Sequence, residues 1–308
     1  MTFSIEAIPS QKGKIAIITG ANIGLGYENT FRFVQKDIEV IMACRSKKRA
    51  MTAMNKLLAE VPNAKLDFMQ LDLCDLSSVR KFAQNFRGKY SKLNYLINNA
   101  GIMVPPYSKT NDGFESQMAA NHFGHFLLTS LLLDLVPDTT ESRIVSLSSV
   151  AHRQGPKKIF FDDINWNKRY SSSQAYQQSK LACLMFANEL DRRLKHSGKK
   201  ILSVAAHPGA TTGTDLGKHV PKLLFKLIQI TILPFISQTV TSGALPQIMA
   251  ALSPQAQGGD YYGPQGFLEM KGPPGLAKKL PYSEDNSALK KLWDISVELT
   301  GADFGELA

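Results

Sequence analysis

Cysteine is scarce in this chain. Cys44, Cys74 and Cys183 are the only three in 308 residues, and they fall in no metal-ligand spacing. A disulfide scaffold and a thiolate metal centre are therefore excluded as sources of stability. The thiols lie in apolar strand-like or helical runs, so we expect them reduced and buried in a cytoplasmic protein. Long apolar runs are also missing. The longest, LLFKLIQITILPFIS from Leu223, carries Lys226 and Pro234, and falls short of the ~20 apolar residues that a spanning helix needs. We expect no membrane span; a lid, or a helix in peripheral contact with a membrane surface, stays open. The opening MTFSIEAIPSQKGKIAIITG lacks a basic stretch followed by a long apolar one, so no signal peptide is expected. Repeats and low-complexity tracts are absent. The charge of +10 favours anionic partners, but the lysines are scattered, with no basic stripe interleaved with aromatics. This pattern argues against a nucleic-acid partner and for a solvated surface with one phosphate site. His122, His125, His152 and His207 have no metal spacing either, and structural roles are expected of them.

What is present is a regular alternation. Short β-branched runs at 14–19, 39–43, 65–71, 95–98, 143–148 and 201–206 are separated by helix-period segments near 24–36, 47–60, 76–90, 112–133 and 175–197. Such alternation predicts βαβ units: an α/β fold with a single parallel sheet and helices on both faces. The strands lack polar alternation, as strands covered on both faces do. Beyond residue 207 Gly and Pro become frequent, and GPQGFLEMKGPPG reads as loop and short strand. A last helix follows, with Asn286 as expected N-cap and Gly301 past its end. We expect one domain over 1–308, with a cofactor-binding and catalytic core at 14–206 and a substrate-side elaboration at 207–308.

The segment ITGANIGLG joins the first strand to the first helix and sets Gly20, Gly24 and Gly26 at G-x-x-x-G-x-G spacing. Glycines there permit a tight turn and close approach of a pyrophosphate to the free N–H groups of the helix. This is the phosphate loop of a doubly wound Rossmann fold. No acid follows the second strand; Arg45, Lys47, Lys48 and Arg49 do. An NAD-binding unit expects an acid there for the ribose 2′-hydroxyl, so Arg45, with Lys48 behind it, points to the 2′-phosphate of NADP(H). Asp72 ends the third strand, where it can accept from an adenine amino group, whereas Asp75 is placed to cap the third helix.

These pieces together resemble the short-chain dehydrogenase/reductase superfamily. TGANIGLG, NNAG (98–101), Tyr176-Gln-Gln-Ser-Lys180 and HPG (207–209) match its motifs in its order over residues 14 to about 216. NHFGHFLLTSLLL, SLSSVAH and ACRS look like its retinol dehydrogenase-like branch, and the C-terminal stretch like bacterial members of that branch. The resemblance implies cofactor contacts from Gly20, Asn22, Ile23, Gly24, Leu25 and Gly26, from Leu73 beside Asp72, from Asn98, Ala100 and Gly101, and from Pro208, Gly209 and Thr212. Ile23 departs from the small polar residue usual there. PGATTGTDL is one residue longer than usual, which leaves Thr212 and Thr214 as alternatives.

Tyr176 and Lys180 are one helical turn apart and share a face. A phenol is a sluggish acid near neutrality, and an ammonium beside it is expected to lower its pKa. The resemblance implies that Tyr176 is the acid/base, that Lys180 also holds the cofactor ribose, that Ser149 holds the substrate oxygen, with Ser148 as its rival, and that Asn121 supports a proton relay. The substrate expected is a small hydrophobic carbonyl or alcohol, contacted by Phe160, Phe161, Trp166, Leu223, Leu224 and Phe225. Reduction of an activated C=C bond, as in the related protochlorophyllide reductases, is an alternative, as is a non-catalytic NADP-binding regulator. The resemblance also allows a homodimer through the helices near 112–133 and 175–197.

Overall fold

The computed structural model describes residues 3–212 and 237–307. Eight strands form one sheet: β1 (Ile15–Thr19), β2 (Glu39–Cys44), β3 (Leu66–Gln70), β4 (Tyr95–Asn98), β5 (Arg143–Leu147), β6 (Leu202–Ala206), β7 (Tyr261–Pro264) and β8 (Pro274–Leu276). Their order is β3-β2-β1-β4-β5-β6-β7-β8, parallel throughout except for the antiparallel β7–β8 pair. The six expected strands are all present. The wholly parallel sheet needs one correction, because β8 turns back along β7 within the Gly/Pro-rich segment.

The helices are α1 (Gly24–Val34), α2 (Lys47–Glu60), α3 (Leu76–Lys89), α4 (Ser116–Met118), α5 (Gly124–Leu132), α6 (Ser172–His196), α7 (Val240–Leu252) and α8 (Asn286–Thr300). On one face Leu25, Phe33 and Val34 of α1, Leu57 of α2 and Ile248 of α7 cover Ile18, Val40 and Val145. On the other, Phe82 and Phe86 of α3, Phe126 and Leu127 of α5, and Phe186 and Leu190 of α6 cover Ile17, Ile41 and Ile144. The doubly covered strands follow from this: Ile17, Ile18, Val40 and Ile41 are all fully buried. Strand order reverses between β1 and β4, and the loops that leave these two strands part there and open a crevice at the carboxyl edge.

Helix ends follow local chemistry. Asp75 caps α3 by accepting from the N–H groups of Ser77 and Ser78. The last helix is capped by Asp285, not Asn286; its carboxylate accepts from the Ala288 N–H at 2.7 Å. Gly301 closes that helix at φ +60°, a conformation glycine adopts without a steric penalty. α7 was not legible, because Gly243 and Pro246 interrupt its pattern. Its apolar face, buried against α1 and the sheet, outweighs the backbone bond that Pro246 forgoes. Cys44 and Cys183 are buried and free; Cys74 is free but half-buried. Among the described residues no helix is long and apolar enough to cross a membrane. Leu223, Leu224 and Phe225 lie outside the described residues.

Phe126 joins the α5–α6 face to the C-terminal segment. Its ring meets Phe186, Trp293 and Phe304 at centroid distances of 5.3, 5.1 and 5.0 Å. Phe126→Ala should lower stability by about 3–5 kcal/mol, read as a lower urea midpoint with little change in slope.

Candidate active site

The carboxyl edge of β1 begins the site. Gly20 (φ +67°) and Gly24 (φ +56°) turn the chain between strand and helix. Gly26 has no room for a side chain, since an added Cβ would collide with the Gly20 carbonyl oxygen. Ile23 precedes α1 without any side-chain cap and is 42% exposed. The N–H groups of the first turn thus face the crevice uncapped, as an anion cradle requires. Leu25 is buried against the core, so its side chain packs while its backbone belongs to the turn.

Thr19 and Asn99, which the motif reading did not single out, stitch β1 to β4. The Thr19 hydroxyl accepts from the N–H groups of Asn99 and Ala100, both at 2.9 Å, and Asn99 Nδ2 donates to the Thr19 carbonyl at 2.7 Å. His125 completes this hub. Its Nδ1 donates to the Asn121 carbonyl at 3.1 Å, which leaves Nε2, 2.9 Å from Thr19 Oγ1, as the acceptor. Burial pushes the imidazole down to about 4, so it stays neutral. Only the buried, polar character of Thr19, Asn99 and His125 marks them, and burial cannot be read from the motifs. Asn98 behaves differently from its neighbours: its side chain is buried and donates to Thr129 Oγ1 at 3.2 Å.

Arg45 follows β2 with its side chain 68% exposed, and Asp72 follows β3 beside it, 4.0 Å away. One Asp72 oxygen accepts from the Cys74 N–H at 3.0 Å. Lys48 is exposed on α2, whose cap is Ser46. Leu73 is buried and packs where Gly124 leaves no space for a Cβ.

Asn121 sits in a π-helical turn, Ala119–Phe123, between α4 and α5. Such turns recur at functional sites. Asn121 clamps the loop after β4: Oδ1 accepts from the Ile102 N–H at 2.8 Å, and Nδ2 donates to the Ile102 carbonyl at 3.1 Å and to Ser179 Oγ at 2.8 Å. A Cβ on Gly101 would lie 3.0 Å from Asn121 Oδ1 and 3.3 Å from Lys180 Nζ. Glycine at 101 therefore leaves room for both groups.

Tyr176 and Lys180, on α6, are buried, and the ammonium lies 5.9 Å from the tyrosine ring centroid. Lys180 Nζ donates to the Leu147 carbonyl at 2.9 Å. Ser148 Oγ donates back to the Lys180 carbonyl at 2.7 Å and also meets the buried Tyr261 phenol. Ser149 is the hydroxyl beside the Tyr176 phenol and also accepts from the Ala151 N–H at 3.2 Å. Burial pushes Tyr176 up to about 12, against a lowering by the Ser149 hydroxyl; the Cys183 thiol adds to the rise. This overturns the expected depression by Lys180, whose own pKa burial lowers. Desolvation of the phenolate is the largest cause, and the Ser149 hydroxyl opposes it.

On the substrate side, His207 starts the turn through Pro208 and Gly209 (φ +64°), and Thr212 donates its N–H to the Gln238 carbonyl at 3.1 Å. Thr214 lies outside the described residues. Trp166 is buried and meets Phe160 edge-on at 5.3 Å, while Phe161 packs against the α6–α8 cluster. These aromatics are used in packing. An open cavity of about 480 Å³ lies between α7 and the segment after β7, lined by Gln238, Leu245, Phe267 and Pro273 among others. Its lining includes neither Tyr176 nor Ser149, so the geometry of those two side chains, not the cavity, locates the chemistry.

A profile described as short chain dehydrogenase matches residues 14–223. The chain belongs to this family. It is 38% identical over 289 residues to retinol dehydrogenase 12 of Bos taurus, covering 94% of this chain and 87% of the relative. Against retinol dehydrogenase 14 of Homo sapiens it is 39% identical over 306 residues, with the same coverage. A crystal structure of an uncharacterized protein from Mycobacterium Paratuberculosis superposes with a TM-score of 0.81 at 35% identity, covering 99% of this chain and 100% of the other. A Shigella flexneri short chain dehydrogenase complexed with NADP shares the fold, with a TM-score of 0.62 at 21% identity over 81% of this chain and 96% of that one. The short-chain dehydrogenase assignment makes the chain an oxidoreductase, resembling the retinol dehydrogenases.

A spectroscopic titration tests the electrostatics directly. With no cofactor added, the alkaline ultraviolet difference between the protein and its Tyr176→Phe variant should show a phenol with a midpoint well above the ordinary 10. A midpoint below 10 would mean that Lys180 overrides burial.

Proposed function

We propose that this chain is an NADP(H)-dependent oxidoreductase that interconverts a hydrophobic aldehyde or ketone and its alcohol. The observation that carries the reading is that the Asn121 amide and the Lys180 ammonium flank Gly101 while the Ser149 hydroxyl meets the Tyr176 phenol one turn before that lysine. When bound, the nicotinamide cofactor supplies or accepts the hydride.

The glycine turn and the uncapped start of α1 suit the pyrophosphate. Arg45 suits a 2′-phosphate, since its guanidinium is largely exposed and the Asp72 carboxylate beside it is 4.0 Å away. Asp72 is left for the adenine, and Thr212 for the nicotinamide side. Lys180 uses one of its three N–H donors on Leu147 and has the others for ribose hydroxyls.

In reduction Tyr176 gives its phenolic proton to the oxygen that becomes the alcohol, and Ser149 donates to the same oxygen as charge builds on it. A phenol held protonated by burial is suited to that direction. In oxidation the same tyrosine must take the proton, and the positive charge of the oxidised nicotinamide would assist. The retinol dehydrogenases to which the chain is similar suggest an apolar substrate.

A panel of aldehydes and ketones, with NADPH oxidation followed by absorbance, tests the reading. Arg45→Asp should weaken NADPH binding selectively; equal affinity of the unaltered protein for NADPH and NADH would remove the arginine's role. Tyr176→Phe keeps the ring that packs, so NADPH binding should persist while turnover drops by about 10² to 10⁴. Full activity in that variant would refute the proton transfer.

A further inference from the structure

One carboxylate outside the reacting set joins three loops around the site. Glu269 lies in the segment after β7, and its side chain is only 13% exposed. Its Oε2 accepts from Arg153 Nη2 at 2.7 Å and lies 3.4 Å from His207 Nε2, while Oε1 accepts from the Lys278 N–H at 3.0 Å. Burial alone would push the carboxyl up; the contacts from His207, Lys278 and Arg153 hold it down to about 2. His207 Nδ1 accepts from the Gly209 N–H at 3.2 Å, so the ring proton sits on Nε2 and faces the carboxylate. Burial lowers the His207 pKa and keeps the ring neutral. At 3.4 Å its contact is long, and Arg153 is the ionic partner.

Arg153 ends the short 3-10 helix Val150–Arg153, and Ser149 is the N-cap of that helix. Inside the helix, His152 Nδ1 donates to the Ser149 carbonyl at 2.6 Å. The serine's backbone is thus fixed by a four-residue turn whose far end is held by Glu269. The segment that carries Glu269 is itself strained: Leu268 and Glu269 have φ of 52° and 58°. Non-glycine residues keep such conformations only where their surroundings over-determine them. The next residue anchors the segment to the third loop, since the Met270 carbonyl accepts from the Ala210 N–H at 2.8 Å.

We infer that Glu269 is a positioning residue that acts through Arg153 to hold Ser149 against the substrate oxygen. This rests on the oxidoreductase reading above. The strained segment and the serine turn are independent pieces of chain, and the Arg153–Glu269 pair is the ionic contact that links them. The segment after β7 thereby sets the geometry of a residue more than a hundred positions earlier.

The test is a double-mutant cycle, with decanal and NADPH as the assay pair. Glu269→Gln should lower kcat by about ten- to a hundredfold, less than the roughly 10²–10³ of removing an oxyanion donor outright, because the serine is displaced and not lost. Its NADPH affinity, read by fluorescence, should stay within about twofold, because the glycine turn and Arg45 are untouched and the backbone bond from Ala210 to Met270 still holds the 207–212 loop. In a Ser149→Ala background the same substitution should cost less than about threefold, since the donor it positions is gone. Arg153→Met should reproduce the loss, and Arg153→Lys, which keeps a cation, should recover most of it. Arg153 is partly exposed, so these two variants carry the test if Glu269→Gln fails to fold. Unchanged kcat in Glu269→Gln or Arg153→Met would overturn the inference. So would a loss that persists undiminished without the serine hydroxyl, which marks a general structural role. Full activity in Ser149→Ala would instead overturn the reading of the active site, and this inference with it.

Discussion

The site depends on keeping one ammonium out of water. Lys180 is 3% exposed, and burial of a charge is tolerated only when hydrogen bonds replace its hydration. One bond does this for the ammonium, and a second, running the other way to the lysine's backbone, helps to fix the geometry. Lys180 Nζ donates to Leu147 at the end of β5, and Ser148 donates back to the Lys180 carbonyl on α6. Helix and strand are thereby locked in register at the point where each carries a candidate functional residue. Tyr176 sits one turn before the lysine and Ser149 one residue after Ser148. Their proximity follows from this cross-link.

A second lock works on the cofactor side and is neutral throughout. The Thr19 hydroxyl gathers two N–H donors from the loop after β4 and donates to a histidine that burial keeps uncharged. That histidine is in turn oriented by the carbonyl of Asn121, whose side chain clamps Ile102 and Ser179. The chain of contacts runs from β1 through α5 to α6 without a charged group until Lys180. A fixed positive charge in an otherwise neutral, water-poor setting keeps most of its field. The cofactor crevice thus presents two cationic groups: Lys180 inside, and Arg45 at the rim, where solvent screens it.

Much of this was legible because turn chemistry is local. Gly20, Gly24 and Gly26 mark the phosphate turn, Asp75 marks a helix start, and Tyr176 and Lys180 share a helix face whatever the surroundings. The alternation of apolar runs was enough for six strands and for the crevice. What stayed hidden depends on contacts far apart in sequence. β7 and α7 lie where Gly and Pro blur the periodicity, and contact with β6 and α1 reveals them, while β8 is defined by its pairing with β7. Asp285 rather than Asn286 caps the last helix, a shift of one residue that pattern alone does not resolve. Thr19, Asn99 and His125 lie inside recognisable stretches and Glu269 in none, but no local pattern shows what they touch; each matters through partners elsewhere in the chain.

The tyrosine shows most clearly why a motif is not an environment. Read along the helix, Lys180 is the nearest charge and should favour phenolate. In the fold, the packing around the ammonium also strips water from the phenol, and that loss of solvation is the largest cause of its raised pKa. The protein alone therefore holds a neutral phenol beside a partly desolvated ammonium, an arrangement set to give a proton. To take one, it needs further positive charge in the cleft, which an oxidised nicotinamide would bring. On this account the protonation state of Tyr176 is governed jointly by burial, which the fold supplies permanently, and by the redox state of whatever occupies the crevice. The two directions of the reaction then use one residue without needing its resting pKa to suit both.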